Sequence, residues 1–136
     1  MFDLKNKTKN KLPKSSSFFK KVKNKILGKN YELSLVLVGE ETSRKINRDY
    51  KKKDKSANIL SFPIDKNTGE ILISPKKVKK EAKEHSLNYE EFFTYLFIHG
   101  LLHLKGLGHG KKMQKEEKLW LSKLKIPKKS KIWEML

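Results

Sequence analysis

Apolar residues recur along the chain with more than one period, and each period predicts a type of secondary structure. Between Pro13 and Gly28 the spacing is helical, which predicts a helix with an apolar stripe of Phe18, Phe19, Val22, Ile26 and Leu27. Residues 31–38 form a continuous run rich in apolar and β-branched types and predict a buried strand. Two shorter runs, 58–63 and 69–74, flank a turn-rich segment and predict a hairpin.

Capping residues and apolar spacing predict four more helices, over residues 40–50, 75–85, 89–104 and 113–124. The helix over 89–104 is apolar nearly all round, so we expect it to be buried at the centre of the fold. A short first strand over Met1–Leu4 and an apolar tail over 132–136 complete the pattern. We therefore predict an α+β fold with one domain spanning residues 1–136, in which helices pack on a mixed sheet of about four strands.

The composition limits the chemistry that the chain can perform. It contains no cysteine, which excludes disulfides and thiolate metal sites and leaves imidazole and carboxylate as metal ligands. No apolar run approaches the roughly 18–20 residues of a membrane span, and no secretion signal precedes the domain, so we expect a cytoplasmic protein without a membrane partner. A formal net charge of +18 favours polyanions such as RNA. All but two of the 33 basic residues are lysines, however, and a solvated surface explains the same charge.

Three of the four histidines, His99, His103 and His109, fall near the end of the predicted central helix. Residues four apart leave a helix on the same face, so the first two imidazoles can bind one ion. We expect Gly106 and Gly108 to adopt left-handed conformations that end the helix and return His109 to the other two. Three protein ligands and one open position are typical of a catalytic zinc site, which predicts one Zn²⁺ per chain. The alternative is that these are core or surface histidines that happen to be close.

The residue after the first histidine bears on the type of reaction. Zinc proteases with a similar helix carry a glutamate at that position as general base. Here the position is Gly100, and no carboxylate occurs between residues 92 and 115. Water activation must then come from the ion or from a distant segment, and a phosphodiester is a suitable substrate because a cation can neutralise its charge. His85 lies alone near a helix end, and we assign it no role.

Two separate motifs resemble those of the YbeY family of bacterial endoribonucleases. The segment from His99 to His109 is similar to the family signature H-G-x-L-H-L-x-G-x-D-H. The segment from Asn47 to Pro63 is similar to N-x-x-Y-R-x-x-D-x-P-T-D/N-V-L-S-F-P, and Gly69-Glu70-Ile71 follows where the family has G-D-I. The resemblance spans about residues 31–124. It implies an α+β domain with zinc on three histidines, cleavage of single-stranded RNA, and a role in ribosomal RNA maturation and ribosome quality control, with the ribosome or its small subunit as partner.

Four departures from the family pattern change the chemistry of the side chain. Lys51 stands where the family has an arginine that contacts the scissile phosphate, so the resemblance assigns that catalytic role to Lys51 with charge kept and bidentate geometry lost. Gly108 replaces an aspartate, Ala57 a threonine and Ser56 a proline. Two other functions stay open: a metal-dependent hydrolase of another substrate, and a ribosome-assembly factor whose metal is not catalytic. Nothing in the sequence indicates the oligomeric state.

Overall fold

Four strands form one mixed sheet in the computed structural model, which describes residues 1–136. They are β1 (Phe2–Asn6), β2 (Glu32–Leu37), β3 (Ile59–Asp65) and β4 (Thr68–Ile73). The order across the sheet is β1-β2-β4-β3, with β2 parallel to both β1 and β4, and β3 antiparallel to β4. The predicted hairpin is therefore confirmed, and so is the mixed sheet of about four strands.

Five α-helices and one 3₁₀ helix accompany the sheet. They are α1 (Ser16–Leu27), α2 (Glu40–Lys51), α3 (Pro75–Glu84), α4 (Tyr89–Leu104), α5 (Lys111–Lys123) and the 3₁₀ helix Lys131–Met135. Every predicted helix is present with ends that differ by three residues or fewer, and the α+β fold class is confirmed. None of these helices has the combination of length and hydropathy that crossing a bilayer requires.

The caps account for the helix starts only in part. The side chain of Asn88 accepts a hydrogen bond from the Glu91 N–H at 2.9 Å, as the sequence predicts for the start of α4. The Glu91 carboxylate does not complete a capping box, because it accepts the hydroxyl of Ser130 instead. Ser74 stands at the cap of α3, yet its buried hydroxyl makes no hydrogen bond. Pro75 at the first helical position nonetheless favours a helix start there.

Helix α4 is the centre of the fold, as its apolar sequence predicts. It contacts α1, α3, α5 and strand β3, and most of its residues are buried. The rings of Phe19 and Phe97 meet edge to face at 5.0 Å between centroids, which joins α1 to α4 in the main core. A second, smaller core lies on the other face of the sheet, where Ile46 of α2 packs against Val36, Val38, Leu60 and Leu72.

Gly100 is where α4 comes closest to the sheet. A Cβ at this position would lie 2.8 Å from Ile59 Cδ1 and 2.9 Å from Ser61 Oγ, both in β3. A larger side chain would require Ile59, Ser61 or the helix itself to shift, because the space is already occupied. The glutamate that zinc proteases carry after their first histidine therefore does not fit here without rearrangement of β3 side chains or of the helix.

Candidate metal centre

The structure brings together the three histidines that the sequence singled out. The candidate ligand nitrogens of His99, His103 and His109 all lie within 4.8 Å of one another. The ring centroid of His103 lies 4.5 Å from that of His99 and 4.7 Å from that of His109. His99 and His103 occupy the last two turns of α4 and are half-buried, whereas His109 is exposed in the loop before α5. His85 lies at the exposed end of α3 and takes no part in this cluster.

A Schellman motif ends α4 and starts the return of the chain. The Gly106 N–H donates to the His103 carbonyl and the Leu107 N–H donates to the Leu102 carbonyl, each at 3.0 Å. Gly106 has φ +108°, as predicted from its position after the helix. The same prediction for Gly108 is wrong, since a Schellman motif needs only one left-handed residue, and the next positive φ falls at Gly110 where α5 begins.

The same motif orients His103. Its Nδ1 donates a hydrogen bond to the carbonyl oxygen of Leu107 at 3.0 Å. A carbonyl can only accept, so the ring proton lies on Nδ1 and the lone pair lies on Nε2. Burial, together with the neighbouring His99, lowers the pKa of His103 and favours the neutral ring. His103 is therefore held in the form that binds metal ions.

A carboxylate that the sequence analysis missed orients His99. Glu117 of α5 accepts a hydrogen bond from His99 Nδ1 at 2.5 Å, and Glu117 is only 2% exposed. The sequence does contain a signal for it: Glu117 shares the buried face of α5 with Met113, Trp120 and Leu121, where an unpartnered acid would be costly. An acid on an apolar helix face indicates a partner from another segment.

Tyr95 lies on the other side of Glu117, one helical turn before His99. Burial raises the pKa of the Tyr95 hydroxyl well above its usual range, and the charge and hydrogen bond of Glu117 raise that pKa further. Tyr95 is therefore a neutral phenol near the buried carboxylate.

The donor set of this cluster fits a metal ion. The Nε2 atoms of His99 and His103 face each other at 2.9 Å. Because both Nδ1 atoms donate to oxygen acceptors, the Nε2 atoms of both rings point into the same space, where they repel unless a cation or a proton lies between them. Imidazole nitrogens at this spacing, with the exposed ring of His109 beside them, could hold a zinc-type ion.

The histidines open into a cleft of about 590 Å³. Lys51, the last residue of α2, lines this cleft, and its charge contributes to the lowered pKa of His103. Asn58 and Ser61 lie in the same cleft, and the Asn58 amide donates to Glu81 of α3 at 2.8 Å. The two motifs that resemble one family, separate in sequence, thus line a single cavity.

Comparison with known proteins agrees with these motifs. A family model described as Endoribonuclease YbeY matches residues 3–128. The chain belongs to the YbeY family. It is 39% identical over 101 residues to Endoribonuclease YbeY of Persephonella marina, in a match that covers 68% of this chain and 65% of that protein. It is 38% identical over 106 residues to Endoribonuclease YbeY of Aliarcobacter butzleri, covering 71% and 75% of the two chains.

A solved structure shares the YbeY fold described above. The solution structure of TM1509 from Thermotoga maritima superposes with a TM-score of 0.68 over 91% of this chain and 89% of that one, at 24% identity. The likeness concerns the fold. The match to the Persephonella marina protein spans just under two thirds of that protein's length.

The hydrogen bonds of the cluster predict an unusual tautomer that can be measured. In the metal-free protein at pH 8, His99 and His103 should carry their proton on Nδ1, because their Nδ1 partners are acceptors. Long-range ¹⁵N–¹H spectra of ¹⁵N-histidine-labelled protein distinguish the two tautomers. Exposed His85 is the internal control and should show the ordinary solution mixture. An unprotonated Nδ1 in His103 would contradict the assigned geometry.

Proposed function

We propose that this protein is a zinc-dependent endoribonuclease that cleaves single-stranded RNA, with one Zn²⁺ held by His99, His103 and His109. The observation that carries the proposal is the commitment of both Nδ1 atoms to oxygen acceptors, which leaves Nε2 of His99 and His103 directed at a common point. A bound zinc ion supplies Lewis acidity and lowers the pKa of water to about 7. Relatives named endoribonuclease support a phosphodiester as the substrate.

Lys51 is the residue that we propose contacts the phosphate. It lies in the same cleft as the three histidines, and its positive charge contributes to the lowered pKa of His103. In that position the ammonium group would offset negative charge on the phosphate as the phosphodiester is cleaved. A lysine does so as a point charge, whereas an arginine would make a bidentate contact.

Glu117 acts in this proposal as a positioning residue. Its carboxylate is on the Nδ1 side of His99, so it cannot take a proton from a group on the Nε2 side. It instead holds the ring orientation and increases the basicity of the nitrogen that faces the ion. Family membership and the net charge of +18 together favour ribosomal RNA, met on the small ribosomal subunit in the cytoplasm, as the substrate.

Removal of the middle histidine tests the metal assignment. His103→Ala should lose the bound zinc and lower cleavage of single-stranded RNA by orders of magnitude, because two imidazoles do not complete the site. Metal analysis and RNA cleavage assays measure the two effects. His85→Ala is the control and should retain both zinc and activity. Cleavage that survives both His103→Ala and chelation would contradict the proposal.

The carboxylate behind His99 gives a second test. Glu117→Gln keeps the size of the side chain but removes the charge, so zinc affinity should fall roughly 10- to 100-fold. Competition with a chromophoric chelator measures that affinity directly, without an activity assay. The neighbouring variant Glu116→Gln makes the same charge change outside the cluster and should leave affinity unchanged. Equal affinities for the two variants would rule out a positioning role.

The proposed role of Lys51 can be distinguished from that of the metal ion by measuring RNA cleavage and zinc content separately. Lys51→Ala should impair RNA cleavage at unchanged zinc content, since its proposed partner is the phosphate. Lys51→Arg should match or exceed the wild-type rate, because an arginine keeps the positive charge and can make a bidentate contact with the phosphate. Lys80→Ala removes an equal charge from the exposed surface of α3 and serves as control. If Lys51→Ala and Lys80→Ala cause the same small loss, the charge acts only as a solvated surface.

A further inference from the structure

We infer that the apolar half of the metal cleft is a subsite for one unpaired nucleobase of the RNA. The inference rests on the proposed endoribonuclease function and deepens it, because it identifies the nucleobase as the part of the RNA that the cleft binds next to the phosphate. It accounts for a preference for single strands by the shape and chemistry of the cavity.

The cleft changes its chemistry along a single face of α4. Phe92, Tyr95, His99 and His103 follow one another at spacings of three or four residues, Leu96 lies next to Tyr95, and all five line the cavity. Phe92, Tyr95 and Leu96 are apolar or aromatic, and the other two are the imidazoles. The floor of the cavity is therefore apolar at one end and metal-binding at the other.

The two ends are separated by about the size of one nucleotide. Tyr95 and His99 are one turn apart, which is about 6 Å along the helix axis, and their ring centroids lie 6.1 Å apart. A phosphate at the histidines and a base beside Tyr95 would then be joined by a single ribose. A cavity of about 590 Å³ is larger than a metal ion and one phosphate require and is of the size that holds a small ligand.

Met135 forms an exposed rim at the apolar end. It is 44% exposed and belongs to the 3₁₀ helix Lys131–Met135, which is anchored by Ile132, 1% exposed, and by the hydrogen bond of Trp133 Nε1 to the Pro127 carbonyl at 2.9 Å. A methionine in this position contributes little to the core. Its flexible, polarisable thioether is suited to the face of an aromatic ring.

The charge of the cleft favours a nucleotide over a peptide or a lipid chain. None of the residues that line it is acidic, and Lys51 lies at the same end as the histidines. An anionic group at that end and a flat apolar group at the other match the phosphate and the base of one nucleotide. A base inside a duplex would have to leave its stack and its pair to enter, which costs free energy. The subsite therefore selects RNA that is already single-stranded.

Two probes of equal charge test the subsite by binding. They are a fluorescently labelled pentauridylate and the same ribose-phosphate chain without any base, with affinities measured by anisotropy on the zinc-loaded protein. Wild-type protein should bind the pentauridylate at least about fivefold more tightly, since stacking of one base contributes measurably to affinity. Met135→Ala should remove most of this difference by weakening only the base-containing probe. Met135→Trp should enlarge the difference.

Leu119→Ala is the matched control, since Leu119 is also 44% exposed but lies on α5 outside the cleft. Equal affinity for the two probes, or equal effects of Met135→Ala and Leu119→Ala, would overturn the subsite. A parallel cleavage assay on single-stranded RNA separates the two proposals. Cleavage without base discrimination would refute the subsite alone, whereas base discrimination that depends on Met135, without cleavage, would refute the nuclease and retain the subsite.

Discussion

Helix α4 lies against the sheet so closely that Gly100 has no space for a Cβ, and this contact sets the position of the whole site. Gly100 faces β3. The side chains of His99 and His103 therefore line the cleft beside the sheet. The apolar side chains that surround the rest of α4 prevent rotation of the helix. The directions of the imidazoles thus follow from the packing of a helix that has no alternative buried face.

Two polar groups next to this apolar helix make the cluster specific. Glu117 would be costly to bury alone, and its hydrogen bond with His99 compensates for part of the lost hydration. The carbonyl of Leu107 has the corresponding role for His103, and it is available because the chain reverses at Gly106. The motif that ends α4 therefore also supplies the hydrogen-bond acceptor that orients His103.

Two departures from the family motif, at Gly108 and Lys51, fall where the fold does not depend on them. Gly108 is exposed, and a Cβ there would contact nothing within 4 Å, so the change from aspartate leaves the packing intact. The orientation of His99 and His103 comes from Glu117 and from a backbone carbonyl instead. Lys51 keeps a positive charge at the mouth of the cleft, so the change from arginine alters contact geometry more than it alters the field.

Local patterns were enough to predict the elements and the histidine cluster. The apolar period of α4, the four-residue spacing of His99 and His103, and the glycine after the helix each act within a few residues of chain. Tertiary structure alone decided which side chains from other segments complete the site. Glu117 lies 18 positions after His99, Lys51 lies 48 positions before it, and Met135 lies 36 positions after it. Their meeting depends on how α2, α5 and the 3₁₀ helix pack around α4. Gly108 shows the same limit at shorter range, because which glycine takes a positive φ depends on how the loop closes onto α5.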